Sequence, residues 1–138
     1  MSRLKLTILS PERRLLDGVE VDEVTLPGSE GQIQILPEHA PMIGTVEVGI
    51  FNYRDSSGQE HSGVLSEGFF EVNANRVTLM AESLDLKGEI NVELAKQAQK
   101  EAEDALKAAD LDEHQFKRYQ LKLQHALVSQ QLASKEHA

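Results

Sequence analysis

Apolar and polar residues alternate from the start of the chain. Leu4, Leu6 and Ile8 interleave with Lys5 and Thr7, the period-two signature of a half-buried strand. Similar β-branched runs recur at 19–26, closed by Pro27 and Gly28, and at 33–36, stopped by Pro37. The run 45–53 leads into Asp55, Ser56, Ser57 and Gly58, a hairpin turn, and the chain returns over 59–65. A second hairpin joins 69–72 to 76–80 through Asn73, Ala74 and Asn75. Many short strands with turns between them predict a flattened antiparallel β-sandwich or barrel. A parallel sheet would need helical crossovers, and this half shows none.

The period changes near Gly88. All nine glycines lie between Gly18 and Gly88 and all four prolines between Pro11 and Pro41, so the last fifty residues hold neither. Those residues are rich in Ala, Leu, Lys, Glu and Gln, strong helix formers. A first helix is predicted from Asn91, a good N-cap, to about residue 109, with a stripe of Leu94, Ala98, Ala102, Ala105 and Ala109. Asp112 with Gln115 forms a capping box for a second helix ending near residue 133. Phe116, Tyr119, Leu123, Ala126 and Leu127 occupy one of its faces, and Leu121, Val128 and Leu132 a neighbouring stripe. A short connection makes the pair a helical hairpin. The chain therefore divides into a β-sandwich domain over 1–87 and a two-helix arm over 88–138.

Charge refines this picture. The chain carries a formal net charge of −9, which disfavours nucleic acid and anionic lipid as partners. Within the arm, residues 88–112 set three lysines against seven acids, whereas 113–138 carry Lys117, Arg118, Lys122 and Lys135 against two. The plain reading is a weakly attracting pair of helices. The functional one is a basic second helix able to leave its partner for an acidic surface. An Ala-rich hairpin of this length is marginal in isolation, which suits a movable arm. No apolar run reaches the length of a bilayer span, and the N-terminus lacks the apolar block of a signal peptide.

Catalytic chemistry is hard to assemble from these residues. The chain has no cysteine, no phosphate-cradling loop of the Gly-x-x-x-x-Gly-Lys type and no Gly-x-Ser-x-Gly elbow. None of the five histidines pairs with another at metal-ligand spacing, so neither a metal nor a cofactor is expected. A hydrolase built on His39 and a nearby acid ranks below a binding module. The most constrained stretch is 26–42, with three prolines and two glycines around a short strand. It reads as a rigid loop–strand–loop, equally a plain sheet corner and a binding edge.

That stretch, Leu26-Pro-Gly-Ser-Glu-Gly31 followed by Ile35-Leu-Pro-Glu-His-Ala-Pro41, resembles the epsilon subunits of bacterial and chloroplast ATP synthases. Ser10-Pro-Glu-Arg13, Ser66-Glu-Gly-Phe-Phe-Glu-Val72 and Val77-Thr-Leu-Met-Ala81 extend the resemblance, and the helical hairpin fits in position and length. The resemblance implies a non-catalytic central-stalk subunit that binds the gamma subunit and seats on the c-ring. Ser29, Glu30, Gly31, Gln32, His39 and Ala40 would face the ring, with Gln32 standing where an acid is frequent. The arm would inhibit ATP hydrolysis by extending toward the alpha/beta hexamer, through Lys117, Arg118 and Lys122. The ATP-binding motif of some members is degenerate: at Ile90, Asn91, Leu94 and Ala95 the acid is Asn91 and the arginine Leu94, so weak or absent ATP binding is expected. The implied location is peripheral, on the cytoplasmic face of a bacterial plasma membrane, with no direct insertion into the bilayer. An autonomous β-sandwich adaptor with a helical tail is the alternative.

Overall fold

The computed structural model describes residues 3–108 and 110–135. Nine strands come first: β1 (Leu4–Leu9), β2 (Arg14–Gly28), β3 (Gly31–Ile35), β4 (Met42–Val46), β5 (Gly49–Asp55), β6 (Glu60–Leu65), β7 (Gly68–Asn73), β8 (Arg76–Ala81) and β9 (Leu84–Leu86). A single 3-10 turn, Lys87–Glu89, leads to the helices α1 (Val92–Leu106) and α2 (Glu113–Ser134).

The strands follow one hydrogen-bonded path, β1-β8-β7-β4-β2-β5-β6-β9, with β3 beside β2. The long β2 serves both layers. Its first half pairs with β1, closing the path on itself, and its second half pairs with β3 and β5. Gly18, at φ 64, and the register shifts opposite β1 mark where the strand bends. All pairings are antiparallel except β1 with β8. That parallel pair needs no crossover helix, because closure of the sandwich brings the two strands together. The predicted run 45–53 is two strands: the chain breaks at Glu47 and Val48, where the Glu47 amide donates to the Pro27 carbonyl at 2.9 Å. β9 was not foreseen, and three residues are too few for a period to show.

Alternation decides the core. Leu4, Leu6, Ile8, Val21, Val24, Leu26, Ile35, Phe51, Phe70 and Leu79 are fully buried. Every member of the main cluster lies in 4–84, and only strand residues pack against it from outside. No residue of α1 or α2 belongs to it.

Both helix starts follow their caps. The Leu94 amide donates to the Asn91 side chain at 3.1 Å, and Asp112 and Gln115 form the reciprocal capping box. α1 ends at Leu106, short of the predicted end; Ala109 lies outside the described residues. The predicted α1 stripe holds at Ala98, Ala102 and Ala105 and fails at its first member, Leu94. Leu94 is 61% exposed, while Ala95, Ala98, Gln99, Ala102, Ala105 and Leu106 turn inward and Ala102 is fully buried. A single bulky residue near the N-terminus cannot set the face when alanines on the other side allow closer approach.

Candidate functional site

Three features of the surface have no role in holding the sandwich together. The first is the constrained stretch. Ser29 and Glu30 form the β2–β3 turn, Gly31 takes φ 127, and Gln32 is exposed. The Ser29 hydroxyl bonds the Thr45 hydroxyl at 2.7 Å. Beyond β3, Glu38 adopts φ 70, a left-handed conformation that glycine favours. It is held there by Asn75, whose side-chain oxygen accepts from the Glu38 amide at 2.7 Å and whose amide group donates to the Glu38 carboxylate at 3.1 Å. His39 is partly buried and Ala40 exposed; the His39 Nδ1 sits 2.7 Å from the Ala40 carbonyl oxygen. His39 thus engages a neighbouring carbonyl and not a carboxylate, which gives a hydrolytic role no geometry. Thr45 pairs with Phe69 near the start of β7 and Asn75 lies in the turn beyond its end, so these six residues present two patches on a stiff frame.

The second feature is apolar and exposed. Ile43 is 74% exposed and Phe69 51%. Phe69 lies opposite Thr45 on β4 and Met80 on β8, and Ile43 lies opposite Glu71. Met80 is also exposed on that side, so β4, β7 and β8 share an outward face with apolar Ile43, Phe69 and Met80 on it. Isolated exposed apolar residues are ordinary, but a cluster across three paired strands marks a contact surface.

The third feature is the junction between sandwich and arm. Only α2 packs extensively on the strands, against β5 and β6, while α1 packs on α2. Gln130 of α2 donates to Gln99 of α1 at 2.8 Å, and Lys122 pairs with Glu101 at 3.2 Å, an antiparallel arrangement. The buried residues of the arm are few and small: Ala102, Ala126, Ser129 and Leu132. At the hinge, Arg13 forks onto Glu89 with bonds of 2.6 and 2.9 Å and reaches the Leu84 carbonyl at 3.3 Å. The guanidinium holds the Glu89 carboxyl at about 2, well below its ordinary range, and the Leu86 amide adds to this. Lys87 donates to the Lys135 carbonyl at 2.7 Å, tying the hinge to the end of α2.

An open cavity of about 700 Å³ lies between α2 and one end of the sandwich. Lys117, Arg118 and Lys122 line it together with Glu67 and Glu82, and Lys122 is paired with Glu101 of α1. These basic residues therefore border the same open cavity as two carboxylates of the sandwich in this conformation. Ile90, Asn91, Leu94 and Ala95 lie at the start of α1: Asn91 is occupied as a cap and Leu94 points outward. Among the described residues no His, Asp and Glu cluster could hold a metal, and no helix is long and apolar enough to cross a membrane.

The ATP synthase Delta/Epsilon chain β-sandwich domain matches residues 3–86, the whole strand region. The chain belongs to the ATP synthase delta/epsilon family. It is 38% identical over 133 residues to an ATP synthase epsilon chain of Trichlorobacter lovleyi, covering 96% of this chain and 95% of that one. An epsilon chain of Bdellovibrio bacteriovorus is 40% identical over 95 residues, 68% of each chain. These relatives make the chain an epsilon chain, a non-catalytic subunit, and the helical arm is part of the match as well as the sandwich. A chain of the Euglena gracilis mitochondrial ATP synthase superposes with a TM-score of 0.79 at 22% identity, over 93% of this chain and 79% of that one. A chain of the Tetrahymena thermophila central stalk and c-ring gives 0.69 at 13% identity, over 96% and 98%. Both share the fold.

The Arg13–Glu89 fork and the exposed apolar face were not legible in the sequence. Arg13 and Glu89 lie 76 residues apart with no pattern to link them. Phe69 sits beside buried Phe70, and only the strand register says which of the two faces out.

Proposed function

We propose that this epsilon chain works in the central stalk, where the sandwich joins the gamma subunit to the c-ring and the arm is a detachable brake on ATP hydrolysis. One observation carries the reading: the core is complete without the arm. A hairpin resting on a finished domain through one helix, which covers Val64 on the outer face of β6, can depart without exposing that core. The central-stalk and c-ring assembly of the Tetrahymena chain supplies the setting.

The parts divide the work. The Ile43, Phe69 and Met80 face offers the apolar anchor that a protein shaft requires, because aromatic and aliphatic anchors dominate such contacts. The turn at Ser29, Glu30, Gly31 and Gln32 and the loop at His39 and Ala40 are polar and stiffly held, fitting the polar loops of the ring. A joint that transmits torque needs such stiffness. The docked arm keeps Lys117, Arg118 and Lys122 around the cavity between α2 and the sandwich, with Lys122 paired to Glu101, so the brake is disengaged in this conformation. Release frees those cations for acidic surface on the alpha/beta hexamer. Moving the arm from mostly docked to mostly extended requires a differential of about 5.5 kcal/mol, within reach of several charge-assisted bonds.

The test is a reconstituted complex carrying either the full chain or one ending after Lys87. The truncated chain is expected to assemble normally and to hydrolyse ATP several-fold faster. Equal rates would remove the brake from this account and leave the joint.

A further inference from the structure

We propose that His125 makes arm docking sensitive to pH: neutral His125 lets α2 lie on the sandwich, and its protonation on acidification releases the arm. The consequence for turnover rests on the brake reading above; the switch itself is a property of the chain alone.

The geometry places His125 at the middle of the α2–sandwich seam. It is partly buried, one residue before buried Ala126, and its Nε2 lies 3.5 Å from the Ser83 hydroxyl, a weak bond at the limit of hydrogen-bond distance. The open cavity reaches its ring, so a proton arrives from solvent without any strand opening. The neighbours decide the sign. On α2 itself His114, Lys117, Arg118 and Lys122 line the same cavity, all cationic or able to become so. α1 contributes only Ala98 to that wall, and its Glu101 is engaged with Lys122. From the sandwich come Glu67 and Glu82, and from β9 Asp85, the one acid that pulls His125 upward. Asp85 is shared: Arg13 also stabilises its charge, while burial pushes its carboxyl up.

Burial outweighs Asp85, holding the His125 imidazole below its ordinary value of 6.5. A histidine whose pKa is depressed by docking leaves the docked state unopposed above the ordinary value and opposes it increasingly as pH falls from there through the depressed one. Each pKa unit between released and docked forms lowers the docked-to-released ratio by about tenfold at acidic pH. The Glu89 latch titrates at about 2 and stays engaged throughout this window, so the hinge holds while the seam opens.

Because the chain has no cysteine, Glu60→Cys and Gln131→Cys introduce the only two thiols, one on exposed β6 and one on exposed α2. Spin labels there report the arm position by pulsed electron paramagnetic resonance on the full chain. At pH 8 a single short distance is expected; at pH 5.5 a long-distance population at least several-fold larger. His125→Gln in the same background is expected to abolish that change, and His61→Gln to preserve it. Independently, the His125 ring proton in the unlabelled chain should titrate below 6.5 by nuclear magnetic resonance. Identical distances at the two pH values, or titration of His125 at 6.5 or above, would overturn the switch. Release on acidification with unchanged hydrolysis in the assembled complex would instead overturn the brake reading.

Discussion

Phe69 and Glu89 show how differently single side chains contribute here. Phe69 is half exposed, so Phe69→Ser should lower stability by only about 1–2 kcal/mol and leave the sandwich folded. Loss of an apolar anchor at an interface costs about 2 kcal/mol or more, so affinity for gamma should fall by at least tenfold. Thermal unfolding and a binding titration with gamma separate the two effects. The Glu89 carboxyl behaves oppositely, since its work is internal. Its pKa is depressed, so its contribution is present above the ordinary carboxyl range and lost as pH falls toward 2. Both partners of the Arg13–Glu89 fork are more than a third exposed, which limits the pair to about 0–1 kcal/mol. Glu89→Gln should therefore speed amide hydrogen exchange in the hinge by no more than about fivefold at pH 7, with the fold intact.

Strands and helices were unequally legible, for physical reasons. A strand with one buried face writes its period directly, as Leu4, Leu6 and Ile8 do. Caps are equally local: Asn91 and Asp112 name the helix starts because their side chains bind amides three residues on. The break at Glu47 and Val48 is set by a bond to Pro27 on a distant strand, and no local pattern encodes it. The α1 face is legible at Ala98, Ala102 and Ala105, and Leu94 departs from it for a related reason. Alanine pairs select the closest approach of two helices, and that is a property of both partners. Ala102 is fully buried at this approach, so Ala102→Leu should overpack it by about 1–3 kcal/mol. The expected result is a less protected arm by hydrogen exchange with the sandwich unchanged. Gly68 makes the complementary point in the strands. A methyl at Gly68 would overlap the Met80 carbonyl oxygen, so Gly68→Ala should lower the melting temperature of the sandwich itself.

Taken together, the molecule is a finished β domain with a lightly held attachment. The sequence announced that division through the disappearance of Gly and Pro after Gly88. It could not announce the docked geometry, because the contacts of α2 with β5 and β6 join residues distant along the chain. The six residues proposed to face the ring come from resemblance, and the structure adds how they are held: Ser29 through Thr45, the His39 loop through Glu38 and Asn75. What makes the arrangement useful is a difference in stability between its halves. The sandwich buries large side chains such as Phe51 and Phe70, whereas the seam of the arm buries mainly Ala126, Ser129 and Leu132. The arm therefore opens at a free energy below that of global unfolding.

The most direct measurement watches the arm and the enzyme together. Fluorophores at Glu60→Cys and Gln131→Cys in a reconstituted, otherwise cysteine-free complex report docking while ATP hydrolysis is followed in single molecules. Hydrolytic pauses should coincide with the long-distance state, and rapid turnover with the docked one. Pauses that occur with the arm still docked would contradict the account.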